Sequence, residues 1–394
     1  MPRHLAILII LAVTQITGWG AVGVLPVIAR PVAEEFGATL PEIFLGSSVM
    51  FVAMALAAPW AGRGFRRFGT RQAMAAGAAA IGLGLLLLAA APGLAAFWAA
   101  WALLGVAGAL FLTTAAYAYL AEVAEDAARG LIGTLMLATG LASSVFWPVT
   151  AFLEHAIGWR GAAGLYGAAM LLLVAPLVRL GLPAAGAATA APGASGMARP
   201  GKIFGLLVAA IALNSFVTFG IEALGITLLQ AMGAELPAAI AIASLLGVFK
   251  VGGRVIDLLG GQRWDGLSTG LVAGGMIPLG LAAIGLGGAG WLPVGLFLLL
   301  FGLGSGAFAV ARATMPLVFY SRGDYAAAMA RIALPMNLIN ALAPPALAAL
   351  LSGIGPQAVL ALLGALSLGA FALLLRLRML RGRAAGGSGY SAKR

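Results

Sequence analysis

GRGFRRFGTR, residues 62–71, is the most informative stretch of this sequence, and it places four arginines among ten residues. It stands between two apolar runs. Glycines in a tight turn together with clustered cations are typical of a short cytoplasmic loop between two membrane helices. A weaker copy, GRVIDLLGGQR, begins 191 residues later, at residue 253 of 394. This spacing predicts two parallel repeats, each about half of the chain.

The composition indicates that lipid is the solvent of most of the chain. It is 62% hydrophobic and 9% charged, with a mean hydropathy of +1.06. A soluble protein of this length cannot cover so much apolar surface. The chain has no cysteine and two histidines, which excludes disulfides, thiol chemistry and the usual zinc sites. We therefore expect no cofactor and no metal.

Runs without charged residues predict twelve membrane-spanning helices. About 20 apolar residues are enough to cross a bilayer, so the longest runs must each hold two helices, and Pro92-Gly93 divides one of them. The predicted spans are residues 5–29, 43–62, two within 72–121, 130–153, 161–178, 203–230, 237–259, two within 266–311 and two within 332–375. The predicted fold class is an all-α membrane protein with twelve transmembrane helices in two pseudo-symmetric six-helix bundles.

The domain boundaries follow from a middle segment of low complexity. Residues 183–201 contain 8 Ala, 4 Gly and 3 Pro in 19 positions, a composition typical of a flexible tether. We predict an N-terminal bundle over residues 1–182, a cytoplasmic linker over 183–201, a C-terminal bundle over 202–383 and a disordered tail over 384–394.

The basic residues predict the orientation. With both termini in the cytoplasm, Arg30 and Arg160 are the ones among 23 Lys and Arg that fall on the outer side. This asymmetry is the positive-inside pattern, so the net charge of +11 is explained by topology and indicates no nucleic-acid partner. We expect a multi-pass protein of a bacterial cytoplasmic membrane that is monomeric and has the bilayer and a small molecule as its partners. No cleavable signal peptide is evident.

Twelve spans, a middle loop and two related turns together resemble the major facilitator superfamily. Its loop signature is roughly G-x-x-x-D-R-x-G-R-R, which is matched here by Gly62, Arg67, Gly69 and Arg71. The acidic position is occupied by Arg66. The resemblance implies that the family's acid takes part in a charge interaction between helices that favours the outward-open state. With Arg66 in its place, we expect this interaction to be weakened in the first half of the chain.

The second copy of the signature keeps its acid. Asp257 stands there with Gly253, Gly260 and Arg263. We therefore expect the gating charge network to rely on Asp257.

Four shorter stretches narrow the resemblance to a bacterial branch near the monocarboxylate and oxalate/formate porters. They are GWG at 18–20, LPVIARPVAEEFG at 25–37, GWR at 158–160 and RATMPL at 312–317. The fourth-helix arginine of many proton-coupled relatives is replaced by Trp101, and the Gly-Pro motif of drug antiporters is absent. Both differences count against a drug/proton antiporter.

Charged side chains at membrane depth are the main candidates for chemistry, since a charge near the bilayer centre costs on the order of 3 kcal/mol. Glu222 on the seventh span could couple protons or contact substrate, or could be a protonated packing residue. Lys250 and Arg254 lie four residues apart on the eighth span and hence on one face. The resemblance implies a substrate carboxylate at a cation of this helix. Arg312 on the tenth span could bind the anion or belong to an inner gate; Arg254 and Arg312 could instead extend to the membrane surface.

Uncharged polar residues recur on the helices that line the cavity of related transporters. These candidates are Gln15, Trp19, Thr113, Tyr117, Asn214 and, on the eleventh span, Asn337. Any one of them could instead make a hydrogen bond between helices. As a set they indicate a small polar cavity.

These observations favour a secondary transporter that works by alternating access and carries a small organic anion, coupled to protons or a counter-anion. An exporter of amphipathic or cationic compounds, with Glu222 binding the cation, is the alternative. A non-transporting membrane sensor is a third hypothesis. No nucleotide-binding loop and no nucleophile–base constellation is present, so we expect neither ATP-driven transport nor an enzyme.

Overall fold

The computed structural model describes residues 2–124, 128–184, 201–260, 264–320 and 322–388. Across these ranges the chain is helical, and no strand occurs among them. The helices are α1 (Pro2–Val22), α2 (Leu25–Phe36), α3 (Leu40–Phe68), α4 (Thr70–Ala89), α5 (Leu94–Phe111), α6 (Thr113–Ala124), α7 (Ala128–Thr139), α8 (Ala142–Ala169), α9 (Lys202–Ala231), α10 (Leu236–Gly260), α11 (Gly266–Gly287), α12 (Trp291–Phe297), α13 (Leu303–Thr314), α14 (Pro316–Phe319), α15 (Arg322–Gly353) and α16 (Pro356–Ser388). Short π-helical segments occupy Met170–Val174, Leu177–Gly181 and Leu298–Gly302.

Eleven helical stretches of the described residues are long and apolar enough to cross a membrane. One of them, Gly130–Gly181, has 52 residues, which corresponds to about 78 Å of helix at 1.5 Å per residue. A hydrocarbon slab is about 30 Å thick, so this stretch is long enough for two crossings. Gly158 interrupts it with a left-handed φ of 71°. The prediction of a multi-pass helical membrane protein is confirmed.

The described chain divides into two compact units. Unit 1 contains Met1–Ala191, Glu222–Val248 and Asn340–Gly353, and unit 2 contains Pro192–Ile221, Phe249–Ile339 and Ile354–Arg394. Within unit 1, the Ser144 hydroxyl donates to the carbonyl of Ser244 at 2.7 Å. The first part of α10 therefore packs on α8 in unit 1, while its second part belongs to unit 2. Residues 185–200 of the predicted linker lie outside the described residues, and α16 continues as far as Ser388.

Local sequence signals explain where the first helices end. Gly37 follows α2 with a left-handed φ of 60°, which a glycine adopts without strain. Thr39 and Glu42 then form a capping box, in which the Glu42 carboxylate accepts from the Thr39 backbone N–H at 2.8 Å. Helix α3 runs through most of the 62–71 stretch, so the turn itself is confined to Gly69.

Glycines bring helices into backbone contact in both units. A Cβ atom at Gly105 of α5 would lie 2.2 Å from the carbonyl oxygen of Met50 in α3. A Cβ atom at Gly306 of α13 would lie 1.9 Å from the carbonyl oxygen of Lys250 in α10. Only a residue without a side chain allows such approaches.

Candidate functional site

The apolar stretch Leu94–Ala124 consists of two helices, α5 and α6. Helix α5 ends at Phe111, Leu112 is extended with φ −70° and ψ −164°, and α6 begins at Thr113. The Leu112 carbonyl accepts from the N–H groups of Ala115 and Ala116, so α6 is a new helix whose first N–H groups have no partner within it. Its 12 residues place this break about 18 Å from its other end, near the middle of a slab of about 30 Å.

Two side chains of α1 donate hydrogen bonds to the residues on either side of Leu112. The Gln15 Nε2 group donates to the carbonyl of Phe111 at 2.8 Å, and the Trp19 indole N–H donates to the Thr113 hydroxyl at 2.8 Å. Gly18 allows this approach, because a Cβ atom there would lie 2.5 Å from the Phe111 ring. Three predicted site residues, Gln15, Trp19 and Thr113, thus come together within unit 1.

The break presents both hydrogen-bond donors and an acceptor. Gln15 is fully buried, and its Oε1 atom has no hydrogen-bond partner in the described part of the chain. Thr113 is half-buried, and Thr114 is exposed. Tyr117 lies one turn after Thr113 and hence on the same face of α6. A polar group of a ligand could be recognised here through both kinds of contact.

The predicted cations lie on two packed helices of unit 2. Lys250 and Arg254 are half-buried on α10, and Arg312 is half-buried on α13. Helices α10 and α13 touch backbone to backbone at Gly306 and also at Gly253, where a Cβ atom would lie 2.1 Å from the Leu303 carbonyl oxygen. Arg312 Nη1 lies 3.7 Å from the sulfur of Met336 on α15.

The remaining membrane-depth candidates lie on α9 and α15. Glu222 is half-buried on α9, and Asn337 is half-buried on α15. Asn214, on α9 in unit 2, is 1% exposed, and neither atom of its amide has a hydrogen-bond partner among the described residues. Its burial at this depth is unfavourable without a partner. No group of three or more His, Asp or Glu side chains that could hold a metal ion occurs in the ranges described above.

The segment called turn 1 comprises residues 62–71, from the last residues of α3 to the first two of α4. Thr70 donates from its hydroxyl to Glu122 of α6 at 2.5 Å, and Arg71 Nη1 donates to the Leu182 carbonyl at 3.1 Å. Gly62 is half-buried within α3, and Arg67 is exposed with its guanidinium 5.3 Å from the Phe68 ring centre. Sequence reasoning did not identify Glu122, although it is an acid near the end of an apolar span.

The segment called turn 2 comprises residues 253–269, from the end of α10 to the start of α11, and its residues 261–263 lie outside the described ranges. Asp257 accepts from the Thr269 hydroxyl at 2.6 Å. Asp265 caps α11 by accepting from the Ser268 N–H at 2.8 Å and pairs with Arg381 of α16. Arg263 lies outside the described residues.

The ionisation of Asp265 is set by two opposing effects. Burial raises the pKa of this carboxyl, but the Arg381 guanidinium and the hydrogen bonds from Ser268 outweigh it and hold the pKa below its ordinary value. Asp265 therefore stays ionised beside Arg381.

A third polar cluster joins two stretches that the sequence singled out separately. Arg160 of the GWR motif pairs with Glu35 at 2.7 Å, and the Trp159 indole N–H donates to the same carboxylate at 2.6 Å. Arg160 also donates to the carbonyls of Ala89 and Ala91, at 2.6 and 2.7 Å. These bonds tie α2, α8 and the end of α4 together. The sequence contained a signal for this cluster, because Glu35 and Arg160 carry opposite charges and stand in two loops predicted to lie on the outer side of the membrane.

The family profile described as Major Facilitator Superfamily matches residues 7–300 of this sequence. A comparison with curated proteins gave no match. The family match therefore covers most of the chain, but it identifies the superfamily and not a branch within it.

Solved transporter structures share the fold at low sequence identity. The human organic anion transporter MFSD10 (TETRAN) has a TM-score of 0.67 at 17% identity, with 95% of this chain and 100% of that chain covered. A bacterial homolog of the human lysosomal transporter Spinster, inward-facing and unoccupied, has 0.69 at 15% identity, covering 97% and 96%. A mutant form of the nucleoside transporter NupG has 0.76 at 13% identity, covering 95% and 99%.

Proposed function

Because the chain belongs to the Major Facilitator Superfamily, we propose that it is a secondary active transporter that carries a small organic anion by alternating access. The anion is a carboxylate, and its movement is coupled to protons or to a counter-anion. The branch of the family that this implies is the one related to monocarboxylate and oxalate/formate porters.

The observation that carries the proposal is the set of cations on α10 and α13. Lys250, Arg254 and Arg312 are half-buried within stretches that are apolar enough to cross a membrane. Cations at this depth are unfavourable in hydrocarbon, so they are kept where they meet an anion or a wet cavity. Lys250 attracts the substrate carboxylate, Arg312 assists, and Glu222 exchanges the proton. The similarity in fold to the human organic anion transporter MFSD10 (TETRAN) is consistent with this assignment.

The proposal includes the architecture predicted from the sequence. Twelve crossings form two six-helix bundles, joined by the cytoplasmic linker 183–201, with both termini in the cytoplasm of a bacterium. The chain works as a monomer in the cytoplasmic membrane, and its partners are the bilayer and the small-molecule substrate. Turn 1 and turn 2 gate the cytoplasmic side.

Uptake of organic acids into proteoliposomes tests the anion assignment. A hydrogen bond to a charged group contributes about 1.5–3 kcal/mol, so Lys250→Ala should slow uptake by about tenfold or more. Lys202→Ala is the matched control, because Lys202 is exposed at the start of α9, and it should retain the wild-type rate. Wild-type uptake by both Lys250→Ala and Arg312→Ala would show that the anion assignment is wrong.

Glu222 favours a second candidate function, the export of amphipathic or cationic compounds. An acid that is half-buried within the apolar stretch Lys202–Ala231 could bind a cation directly. Export of a panel of lipophilic cations, measured for wild type and Glu222→Gln, distinguishes the two functions. Cation export that is lost in Glu222→Gln supports the second function, and no cation export by the wild type excludes it.

A further inference from the structure

We propose that one face of α3 binds the headgroup of an anionic lipid in the cytoplasmic leaflet. This surface, the α3 face, consists of Leu56, Trp60, Arg63 and Arg67, which follow one another at spacings of three and four residues and therefore share one side of the helix. The inference goes beyond the proposed function, since it assigns a ligand other than the substrate. It takes from that proposal only the cytoplasmic position of turn 1.

The α3 face is exposed along its whole length. Leu56 is 64% exposed and Trp60 is 63% exposed, and Arg63 and Arg67 are exposed as well. The other side of the helix is packed against its neighbours, where Phe65 is 9% exposed. Helix α3 therefore presents a continuous stripe that is apolar along the helix and cationic at its end.

The charge pattern of α3 sets the depth of this face. Residues 43–62 carry no charge, and a helix of about 20 residues spans about 30 Å, the thickness of the hydrocarbon slab. Trp60 lies at the inner end of this run, at the level where tryptophan is enriched in membrane proteins. Arg63 and Arg67 lie about 5 and 10 Å further along the helix axis, at the depth of the lipid headgroups.

The side chains of the α3 face suit a lipid phosphate and its acyl chain. Two guanidinium groups on successive turns can donate to phosphate oxygens through their planar forks. The Arg67 guanidinium lies 5.3 Å from the Phe68 ring centre, a cation–π distance that favours this position of the arginine. Leu56 and Trp60 offer apolar contact to the acyl chain. A headgroup with a net negative charge is favoured over a zwitterionic one, because the arginines repel the cationic group of the latter.

The second repeat provides an internal comparison. At the offset of 191 residues, Leu258 of α10 stands where α3 has Arg67, and Leu258 is 66% exposed. Arg254 corresponds to Arg63 but is half-buried. The second repeat therefore lacks the pair of exposed cations, and the lipid site belongs to the first repeat.

A second copy of the chain is the other candidate occupant of an exposed membrane face. Copies in one membrane share their orientation, so a two-fold dimer through the α3 face would bring Arg63 and Arg67 against their own counterparts. Like charges repel one another at such distances. Charge complementarity therefore favours an anionic lipid.

Native mass spectrometry of the full-length chain released from nanodiscs tests the site. The nanodiscs contain equal amounts of phosphatidylglycerol and phosphatidylcholine, and the measured quantity is the ratio of the two lipids retained on the protein. A cation near an anionic membrane surface strengthens binding about fivefold, so replacing both Arg63 and Arg67 by glutamine should weaken phosphatidylglycerol binding by about tenfold or more. Replacing both by lysine keeps the charges and should keep most of the preference.

Arg376→Gln combined with Arg378→Gln is the matched control. It removes the same two charges from exposed positions of α16, but the two residues are two positions apart and do not share a face. The control should keep the wild-type ratio of retained lipids. An equal loss in the control would show attraction to net charge alone and would overturn the site. Unchanged retention of phosphatidylglycerol by the glutamine variant of the α3 face would also overturn it.

Two further measurements distinguish a lipid from other occupants. Added glycerol phosphate, which has the phosphate but no acyl chain, should not displace phosphatidylglycerol at equal concentration; displacement would identify a soluble phosphate as the ligand and overturn the proposal. Spectra in which the glutamine variant loses dimers instead of lipid would identify a second copy as the occupant and overturn it as well. No substrate is present in these measurements, so a failure of the anion assignment leaves their result unchanged.

Discussion

Turn 1 and turn 2 make the same hydrogen bond from different parts of the chain. In turn 1, Thr70 donates to Glu122 at 2.5 Å, and in turn 2, Thr269 donates to Asp257 at 2.6 Å. Asp257 belongs to the helix that enters its turn, whereas Glu122 comes from α6, 52 residues after Thr70 along the chain. A missing acid in the motif therefore does not mean that the turn lacks a carboxylate.

The two turns also use glycine for different physical reasons. Gly69 has φ 80° and ψ 147°, and nothing lies within 4 Å of the position of a Cβ atom. Its side chain is excluded by backbone strain. Gly260 is the last residue of α10, and a Cβ atom there would lie 2.3 Å from the Trp264 ring. A side chain at position 260 would therefore collide with the Trp264 ring, which can move.

The largest effects should come from the two acids. If both carboxylates hold their turns in one state of the cycle, Asp257→Asn and Glu122→Gln should each slow transport by about tenfold, or 1.4 kcal/mol. Proteoliposome uptake measures this, and Glu34→Gln, at an exposed position of α2, should remain at the wild-type rate. If only Asp257→Asn slows uptake, the gating network relies on Asp257 alone, as the motif predicts, and the comparison fails.

Removing the hydroxyl donors Thr70 and Thr269 should slow transport less than replacing the two acids. Thr70→Val and Thr269→Val leave each carboxylate in place but remove its hydroxyl partner, so we expect transport to slow by about threefold to tenfold. Serine at either position keeps the hydroxyl and should restore uptake. Equal rates for the serine and valine variants would show that these bonds do not contribute to transport.

Alanine substitutions at Gly69 and Gly260 should distinguish backbone strain from a collision between side chains. Gly69→Ala should destabilise the protein by about 1–2 kcal/mol, because alanine is strained at this φ and ψ. Gly260→Ala should cost less, because Trp264 is exposed and can turn away. Thermal unfolding in detergent measures both. Trp264→Ala should abolish the cost of Gly260→Ala; a cost that remains would place the cause in the backbone.

The smallest effect is expected from the pair at the end of turn 2. The Asp265 and Arg381 side chains are 34% and 48% exposed, so their pairing contributes a few tenths of a kcal/mol. Since the folded pKa of Asp265 is lowered below 3.8, this contribution is present above that value and is lost as the pH falls through the folded pKa. Unfolding of wild type and Asp265→Asn should differ at pH 7 and converge in acid. A constant difference would contradict the assignment.

The polar candidates show how far residue patterns reach. Sequence reasoning selected Gln15, Trp19 and Thr113 as cavity residues, and the structure brings these three together. It did not foresee that Leu112 interrupts the helix, because the surrounding run has no proline and is mostly apolar. The interruption is stabilised by the distant Gln15 amide, and local propensity does not report such a bond.

Sequence patterns also did not predict which residues pair with the carboxylates of Glu35 and Glu122. Glu35 and Arg160 stand in separate predicted loops, and Glu122 stands outside the motif that it completes. Motif spacing identifies residues that are close along the chain. The partners of Glu35 and Glu122 are set by which helix ends come together in three dimensions.

The lipid environment, the helical class and the family could all be inferred from the order of residues. Burial of apolar surface in lipid requires long hydrogen-bonded helices, and the apolar runs that form them can be identified in the sequence. The position of the helix break and the acid that accepts from Thr70 in turn 1 became known only from the tertiary structure. Those outcomes depend on contacts between residues far apart in the chain, such as Gln15 with Phe111, and each is worth about 1 kcal/mol, too little to leave a pattern in the local sequence.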